Sequence, residues 1–250
     1  MRDLAAAFTL LTRLPAWRLT RSAGHVPIVR AVWAFPLVGA VVGGIGAAAF
    51  AICTVCHMPA SLGAVWALAA MLLVTGGLHE DGLADTADGL GGGRTRARKL
   101  EIMRDSRIGV FGASALLLTL AARIAAIAEI GRAGQVAAAL VAAGALGRGC
   151  ILLMVLASRP ARTDGLGAGL HARAPTRIVV GIIISGLITL ALLPASVAIR
   201  AAAAAVAGTL ALGWTARCQL GGYTGDVLGA ASVLAESLAI SQIAGGVGTR

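Results

Sequence analysis

Charged residues are scarce in this chain of 250 residues, at 13% of the total. A soluble domain of this length carries about a quarter. Hydrophobic residues make up 58%, and the mean hydropathy is +0.88. The shortage of charge excludes an ordinary soluble domain. It predicts an all-α, polytopic membrane protein with a single integral-membrane domain over residues 1–250, whose Ala- and Gly-rich helices approach one another closely.

Acidic residues are the scarcest charged type, with 11 Asp and Glu against 21 Lys and Arg, for a formal net charge of +10. The positive charge is confined to a few segments between apolar runs, as membrane topology requires, so it does not indicate a nucleic-acid partner. A convincing cleavage site is also lacking after the apolar stretch Leu4 to Leu14. We therefore expect an interfacial helix within residues 1–30, and no cleaved signal peptide.

Seven apolar stretches have about the length that a bilayer requires. They run from Ala31 to Ile52, Ser61 to Leu78, Val110 to Ile130, Gln135 to Ala157, Ile178 to Ile199, Ala201 to Ala216 and Val227 to Val247. Sixteen Lys and Arg residues lie between these spans on one side, and three lie on the other: Arg132, Arg200 and Arg250. The positive-inside rule predicts a cytoplasmic N-terminus, an external C-terminus and cytoplasmic segments 79–108, 158–177 and 217–226.

Four of the few acidic residues lie within nine positions, at Glu80, Asp81, Asp85 and Asp88. In a helix the three aspartates fall at i, i+4 and i+7 and share one face, where their carboxylates repel one another. A hard divalent cation, Mg²⁺ with substrate phosphates, relieves that repulsion. The alternative is a solvated acidic helix start, which the helix dipole also favours.

Two further polar segments lie on the same predicted side of the membrane. In Arg94 to Ile108, the residues Glu101, Arg104 and Asp105 are predicted to share a helical face, which also fits a plain amphipathic surface helix. Gly221 to Asp226 opens the last span, and there Asp226 is either a helix cap or a metal ligand. Carboxylates for a metal, arginines for phosphate oxygens and a glycine-rich turn together favour phosphoryl transfer.

Three long motifs carry a resemblance to a known family. They are Thr75 to Gly89 (TGGLHEDGLADTADG), Leu100 to Gly109 (LEIMRDSRIG) and Gly221 to Ala230 (GGYTGDVLGA), joined by the shorter Thr12 to Pro15, Phe35 to Leu37 and Arg148-Gly149. In this order the chain resembles the cobalamin synthases, the adenosylcobinamide-GDP ribazoletransferases, over nearly its whole length. Glu80 departs from the family, which usually has an apolar residue there.

The resemblance implies an Mg²⁺-dependent enzyme of the bacterial inner membrane whose active site faces the cytoplasm. It joins adenosylcobinamide-GDP to α-ribazole, or to its 5′-phosphate, and releases GMP. We assign metal binding to Asp81, Asp85, Asp88 and Asp226, which with Asp105 are also the expected catalytic residues. Substrate contacts are assigned to six further residues: His79, Arg104, Arg107, Arg148, Gly222 and Thr224. The base stays open between Asp226, Asp105 and His79, and homo-oligomerisation is also left open.

Other functions fit parts of the sequence. A CDP-alcohol phosphotransferase also has an Asp-Gly motif at a helix end, but its Ala-Arg step and its later aspartate spacing are lacking here. A cobamide or metal transporter places charges near the midplane and often has internal repeats, and none is found here. Cys53-Thr54-Val55-Cys56-His57 matches a haem attachment pattern, although plain apolar cysteines or a local disulfide explain it better.

Overall fold

The computed structural model describes residues 2–15, 27–162, 170 and 175–247. The expected loops at 158–177 and 1–30 therefore lie partly outside the described residues. The helices are α1 (Arg2–Leu11), α2 (Ile28–Ala31), α3 (Phe35–Val55), α4 (Ala60–Thr75), α5 (Leu78–Gly92), α6 (Arg96–Ile102), α7 (Val110–Ile130), α8 (Ala133–Ala157), α9 (Pro175–Leu192), α10 (Ala195–Leu220) and α11 (Gly225–Val247). A 3₁₀ turn, Val32–Ala34, joins α2 to α3.

Six of the described helices are long and apolar enough to cross a membrane, and the bent pair α4–α5 makes a seventh candidate. This confirms the all-α membrane fold. Helix α8 is the centre of the bundle and packs against α3, α9, α10 and α11. At its crossing with α3, a Cβ on Gly39 would overlap the carbonyl of Gly144, so the contact depends on small residues.

The boundary between the fifth and sixth spans differs from the prediction. Helix α9 ends at Leu192 and α10 begins at Ala195, so Ile199 and Arg200 belong to α10. Pro194 is the N-cap residue of α10, with φ −54° and ψ 139°, where the missing amide hydrogen costs no helical bond. The sixth span is thus a full helix of 26 residues, and the predicted short span was wrong.

Two glycines end the second span earlier than Leu78. Gly76 and Gly77 have φ of 67° and 70°, a left-handed conformation that L-residues with a Cβ rarely adopt. The chain turns there by 91° from α4 into α5. Helix α5 consequently does not continue along the axis of α4, and it packs against α7 and α11. This turn carries the acidic residues to the side of the bundle where α6 and the start of α11 lie.

Candidate functional site

A cavity of about 620 Å³ opens along α5. Asp81 and Asp85 line it, as the predicted helical face requires, together with Glu80. The opposite wall comes from the end of α1 and from the segment between α6 and α7. Arg13 and Ser106 line the cavity there, and sequence reasoning had assigned neither a role. The cavity therefore combines carboxylates with a cation and a hydroxyl. We call it the acidic cavity, and we call α5 the acidic helix.

Arg13 is held against the turn between α4 and α5. Its backbone amide donates to the carbonyl of Val74 at 2.7 Å, and its guanidinium lies where a side chain on Gly76 would be. Because Gly76 has no Cβ, the arginine can cross the turn and reach the acidic cavity. In the sequence, only the short motif Thr12 to Pro15 pointed to Arg13. The fold is needed to show that Arg13 faces the acidic cavity.

Asp88 follows Asp81 and Asp85 along α5, but its carboxylate binds backbone amides of the neighbouring helix. Its Oδ2 accepts a hydrogen bond from the amide of Gly109 at 2.7 Å, and its Oδ1 accepts one from Gly112 at 2.9 Å. The buried carboxylate thus caps the first turn of α7, satisfying amides that have no partner within that helix. Its predicted role as a metal ligand stays a prediction.

The glycine-rich turn lies beside α5. A Cβ on Gly82 would be 2.7 Å from the carbonyl oxygen of Asp226, so the two helices touch at the third motif. Thr224 Oγ1 donates to Asp226 Oδ2 at 3.2 Å and accepts from the amide of Val227 at 3.3 Å. Asp226 is therefore close to the acidic helix, although it does not line the 620 Å³ cavity.

Segment 159–162 supports this turn from the other side. Tyr223 donates its amide to the carbonyl of Arg159 at 2.9 Å, and Ala161 donates to the carbonyl of Tyr223 at 2.7 Å. A side chain on Gly222 would overlap the Arg159 carbonyl, so this position requires glycine. Arg162 acts electrostatically on Asp226 and donates to the carbonyl of Leu100 at 2.8 Å. Sequence reasoning had left Arg162 without a role.

The arginine-rich motif is helical only in its first half. Helix α6 ends at Ile102, so Glu101 does not share a helical face with Asp105, and that expectation was wrong. Asp105 instead forms a two-bond ion pair with Arg107, with distances of 3.0 Å from Nε to Oδ1 and 2.6 Å from Nη2 to Oδ2. These bonds lower the pKa of Asp105 to about 2, so it is a poor proton acceptor. Arg104 is exposed just after α6.

Arg148 and His79 are buried beneath the site. Arg148 pairs with Glu236, whose other oxygen accepts from Arg123 at 2.8 Å. Arg123 also approaches Glu80 on the acidic helix at 3.4 Å. Two arginines and two glutamates thus link α5, α7, α8 and α11. Neither Arg148 nor His79 lines the acidic cavity, and their predicted substrate contacts stay predictions.

The carboxylates of the site repel one another, and Asp85 shows the effect. Burial, followed by repulsion from Asp81, Asp226 and Asp88, raises the pKa of Asp85 from 3.8 to about 6. A proton therefore binds Asp85 more tightly in the folded protein than in the unfolded chain. Its contribution to stability is complete below about pH 4 and is lost as the pH rises through about 6.

We expect this repulsion to be measurable in protein kept free of metal with a chelator. Asp85→Asn should melt at a higher temperature than the wild type at pH 7.5, and the difference should shrink as the pH is lowered towards 4.5. Thermal unfolding in detergent at several pH values measures it. A difference that does not change with pH would contradict a raised pKa at Asp85.

The donor set suits a hard cation. Among the described residues, no group of three His, Cys, Asp or Glu side chains is arranged to hold a metal ion. Mg²⁺ does not need such a group, because it commonly binds through one or two carboxylates, substrate phosphates and several waters. Asp81 and Asp85 on the wall of an open cavity fit that pattern.

Fold and cavity define a multi-pass helical membrane protein with an acidic site at one end of its bundle. The family model described as Cobalamin-5-phosphate synthase (CobS) matches residues 3–244. No solved structure matches the chain.

Similar proteins named adenosylcobinamide-GDP ribazoletransferase occur in several bacteria. The protein of Bradyrhizobium diazoefficiens is 44% identical over 91% of this chain and 87% of its own length. That of Klebsiella pneumoniae strain 342 is 39% identical over 95% of this chain and 97% of its own. The chain therefore belongs to the cobalamin-5-phosphate synthase family, and it is a transferase of cobalamin biosynthesis.

Proposed function

We propose that the protein transfers the cobinamide phosphate of adenosylcobinamide-GDP to α-ribazole, or to its 5′-phosphate, in an Mg²⁺-dependent reaction. The observation that carries this proposal is the cavity in which Asp81 and Asp85 face Arg13, in a chain of this family. A ribose hydroxyl that is free in both forms of the nucleoside attacks the cobinamide-side phosphorus. The bond from that phosphorus to GMP breaks, and the hydroxyl proton passes to a base.

Asp81 and Asp85 would hold Mg²⁺, which neutralises charge on the diphosphate when it is bound. Arg13 is placed to bind phosphate oxygens from the opposite wall of the cavity. The exposed Arg104 and Arg107 are close enough in sequence to Ser106 to contact the part of the substrate that extends beyond the cavity. The protein thus contributes mainly positioning and charge neutralisation, which dominate phosphoryl transfer.

We assign the base to Asp226. Of the three candidates, Asp105 is held ionised by Arg107, and His79 is buried, whereas Asp226 is partly exposed. Asp226 lies against the acidic helix and within electrostatic range of Asp81 and Asp85. The hydroxyl of Thr224 orients its carboxylate.

The direct test incubates purified protein with adenosylcobinamide-GDP, α-ribazole and Mg²⁺. Equal amounts of GMP and adenosylcobalamin are expected, and a chelator should stop both. Turnover of a CDP-alcohol in place of these substrates would replace the proposal with the phosphotransferase alternative. Ligand flux across vesicles without turnover would replace it with the transporter.

A double-mutant cycle tests whether Asp226 acts together with the acidic helix. Asp81→Ala and Asp226→Ala should each reduce turnover strongly, and the double variant should be little worse than either, because residues that act as one unit cannot be lost twice. Turnover of protein with verified fold is the measurement. Losses that multiply, or a normal rate for Asp226→Ala, would remove Asp226 from the chemistry and leave it as a helix cap.

We further propose that this site faces the cytoplasm of the inner membrane, on the strength of the sixteen basic residues on its side. In a cysteine-free background, Arg98→Cys should be protected from an impermeant thiol reagent in intact cells. Arg132→Cys, at the other end of the bundle, should react. Labelling of Arg98→Cys with protection of Arg132→Cys would reverse the orientation.

A further inference from the structure

A second cavity, of about 630 Å³, lies between the ends of three helices; it reaches the glycine-rich turn at Gly221, but no residue of the acidic helix lines it. Its walls are the last turn of α8, the first turn of α9 and the last turn of α10. Two exposed arginines, Arg159 and Arg217, line it. Neither side chain has an ion-pair or hydrogen-bond partner within the part of the chain that the structure describes. The cavity is therefore a cationic space with no anion supplied by the described residues.

The rest of the lining is apolar. Val155, Leu156 and Ile178 form the wall beneath the arginines. Leu156 is half exposed, and it continues the cavity onto the outer face of the bundle. The space is thus cationic towards the end of the helices and apolar towards their middle. A soluble anion would match only the cationic part of this lining, whereas an amphiphile would match the cationic and the apolar parts.

The position along α10 is that of the membrane interface. Trp214 lies one turn before Arg217 on the same side of the helix, and its side chain is 69% exposed on the outer face. Exposed tryptophans on such helices lie at the boundary between hydrocarbon and head groups. The helix dipoles also favour arginines at the C-terminal ends of α8 and α10, but that effect does not account for the cavity between these helices.

We propose that this cavity binds the phosphate head group of an anionic phospholipid, with Arg159 and Arg217 contacting the phosphate and one acyl chain lying along Leu156. Basic pockets between transmembrane helices bind anionic head groups in this way. The proposal does not depend on the reaction at the acidic helix, because the two cavities share no lining residue.

The test measures lipid binding by native mass spectrometry of protein purified in neutral detergent. Phosphatidylglycerol should bind more tightly than phosphatidylcholine with the same acyl chains. Arg159→Gln/Arg217→Gln should weaken phosphatidylglycerol binding by about 30-fold, since each cation near an anionic surface contributes roughly a fivefold factor. Arg98→Gln/Arg200→Gln, which removes the same charge elsewhere, should bind like the wild type.

Three results would overturn the proposal: equal binding of the two lipids, equal losses in the two double variants, or displacement of phosphatidylglycerol by millimolar inorganic phosphate. The last would identify a site for soluble phosphates. Arg159→Lys/Arg217→Lys keeps both charges and should retain the preference, so it separates loss of charge from loss of fold. Thermal unfolding of every variant verifies that the bundle is intact.

Discussion

Asp81→Asn and Asp85→Asn should each reduce turnover by about 10²- to 10³-fold and leave the bundle folded. In the proposed site, each change would remove one anionic metal ligand from the wall of the acidic cavity, and metal-assisted charge neutralisation contributes several kcal/mol to such transition states. Neither carboxylate is needed for packing, because both are accessible from the cavity. Turnover as a function of Mg²⁺ concentration, together with thermal unfolding, measures both effects.

Asp88→Asn provides the contrast within the same helix. Its two oxygens accept amides from Gly109 and Gly112, and an asparagine would present an NH₂ group to one of them. We expect a loss of about 1–3 kcal/mol in the free energy of unfolding, with or without Mg²⁺. Glu101→Gln, an exposed change of equal charge, should leave activity unchanged and cost at most about 1 kcal/mol of stability. Full activity of the Asp81 and Asp85 variants at low Mg²⁺ would refute the metal site.

Glu236→Gln should be the most destabilising single substitution of a polar residue. Glu236 is buried and accepts from both Arg123 and Arg148, so its loss leaves two buried guanidinium groups without a full counter-charge. Removing one partner of a buried ion pair costs about 3–5 kcal/mol. Denaturation by sodium dodecyl sulfate in mixed micelles measures the change in the free energy of unfolding.

Two variants control this result. Glu101→Gln breaks an exposed pair with Arg98, 2.9 Å long, and should cost at most about 1 kcal/mol. Arg148→Met/Glu236→Met removes one charge of each sign, leaves Arg123 with Glu80, and should recover most of the loss. A Glu236→Gln protein as stable as the wild type would mean that the buried charges are compensated by something other than this carboxylate.

Much of the fold follows from the hydropathy of the sequence. The span Val110 to Ile130 was predicted with the bounds that the structure has, because polar segments flank it on both sides. The boundary at Leu192 was missed because α9, Pro194 and the start of α10 form one apolar run, in which only the proline marks the break. Helix α6 was predicted too long because the alternation of charges continues past Ile102 without a helix.

The site was only partly accessible from the sequence. Asp81 and Asp85 could be identified because their spacing within one helix decides which face they share. The second role of Asp88 depends on where α7 begins relative to α5, which is a property of packing. Arg13 and Arg162 reach the site from segments far away in the chain. Local spacing contains no information about such contacts.

The buried group of Arg123, Arg148, Glu80 and Glu236 contains two charges of each sign. Moving one elementary charge across a potential of 100 mV involves about 2.3 kcal/mol. Because the group has no net charge, the membrane voltage exerts no net force on it, and the helices that it joins are not pulled along the membrane normal. A movement of these four residues together along the membrane normal therefore transfers no net charge through the potential.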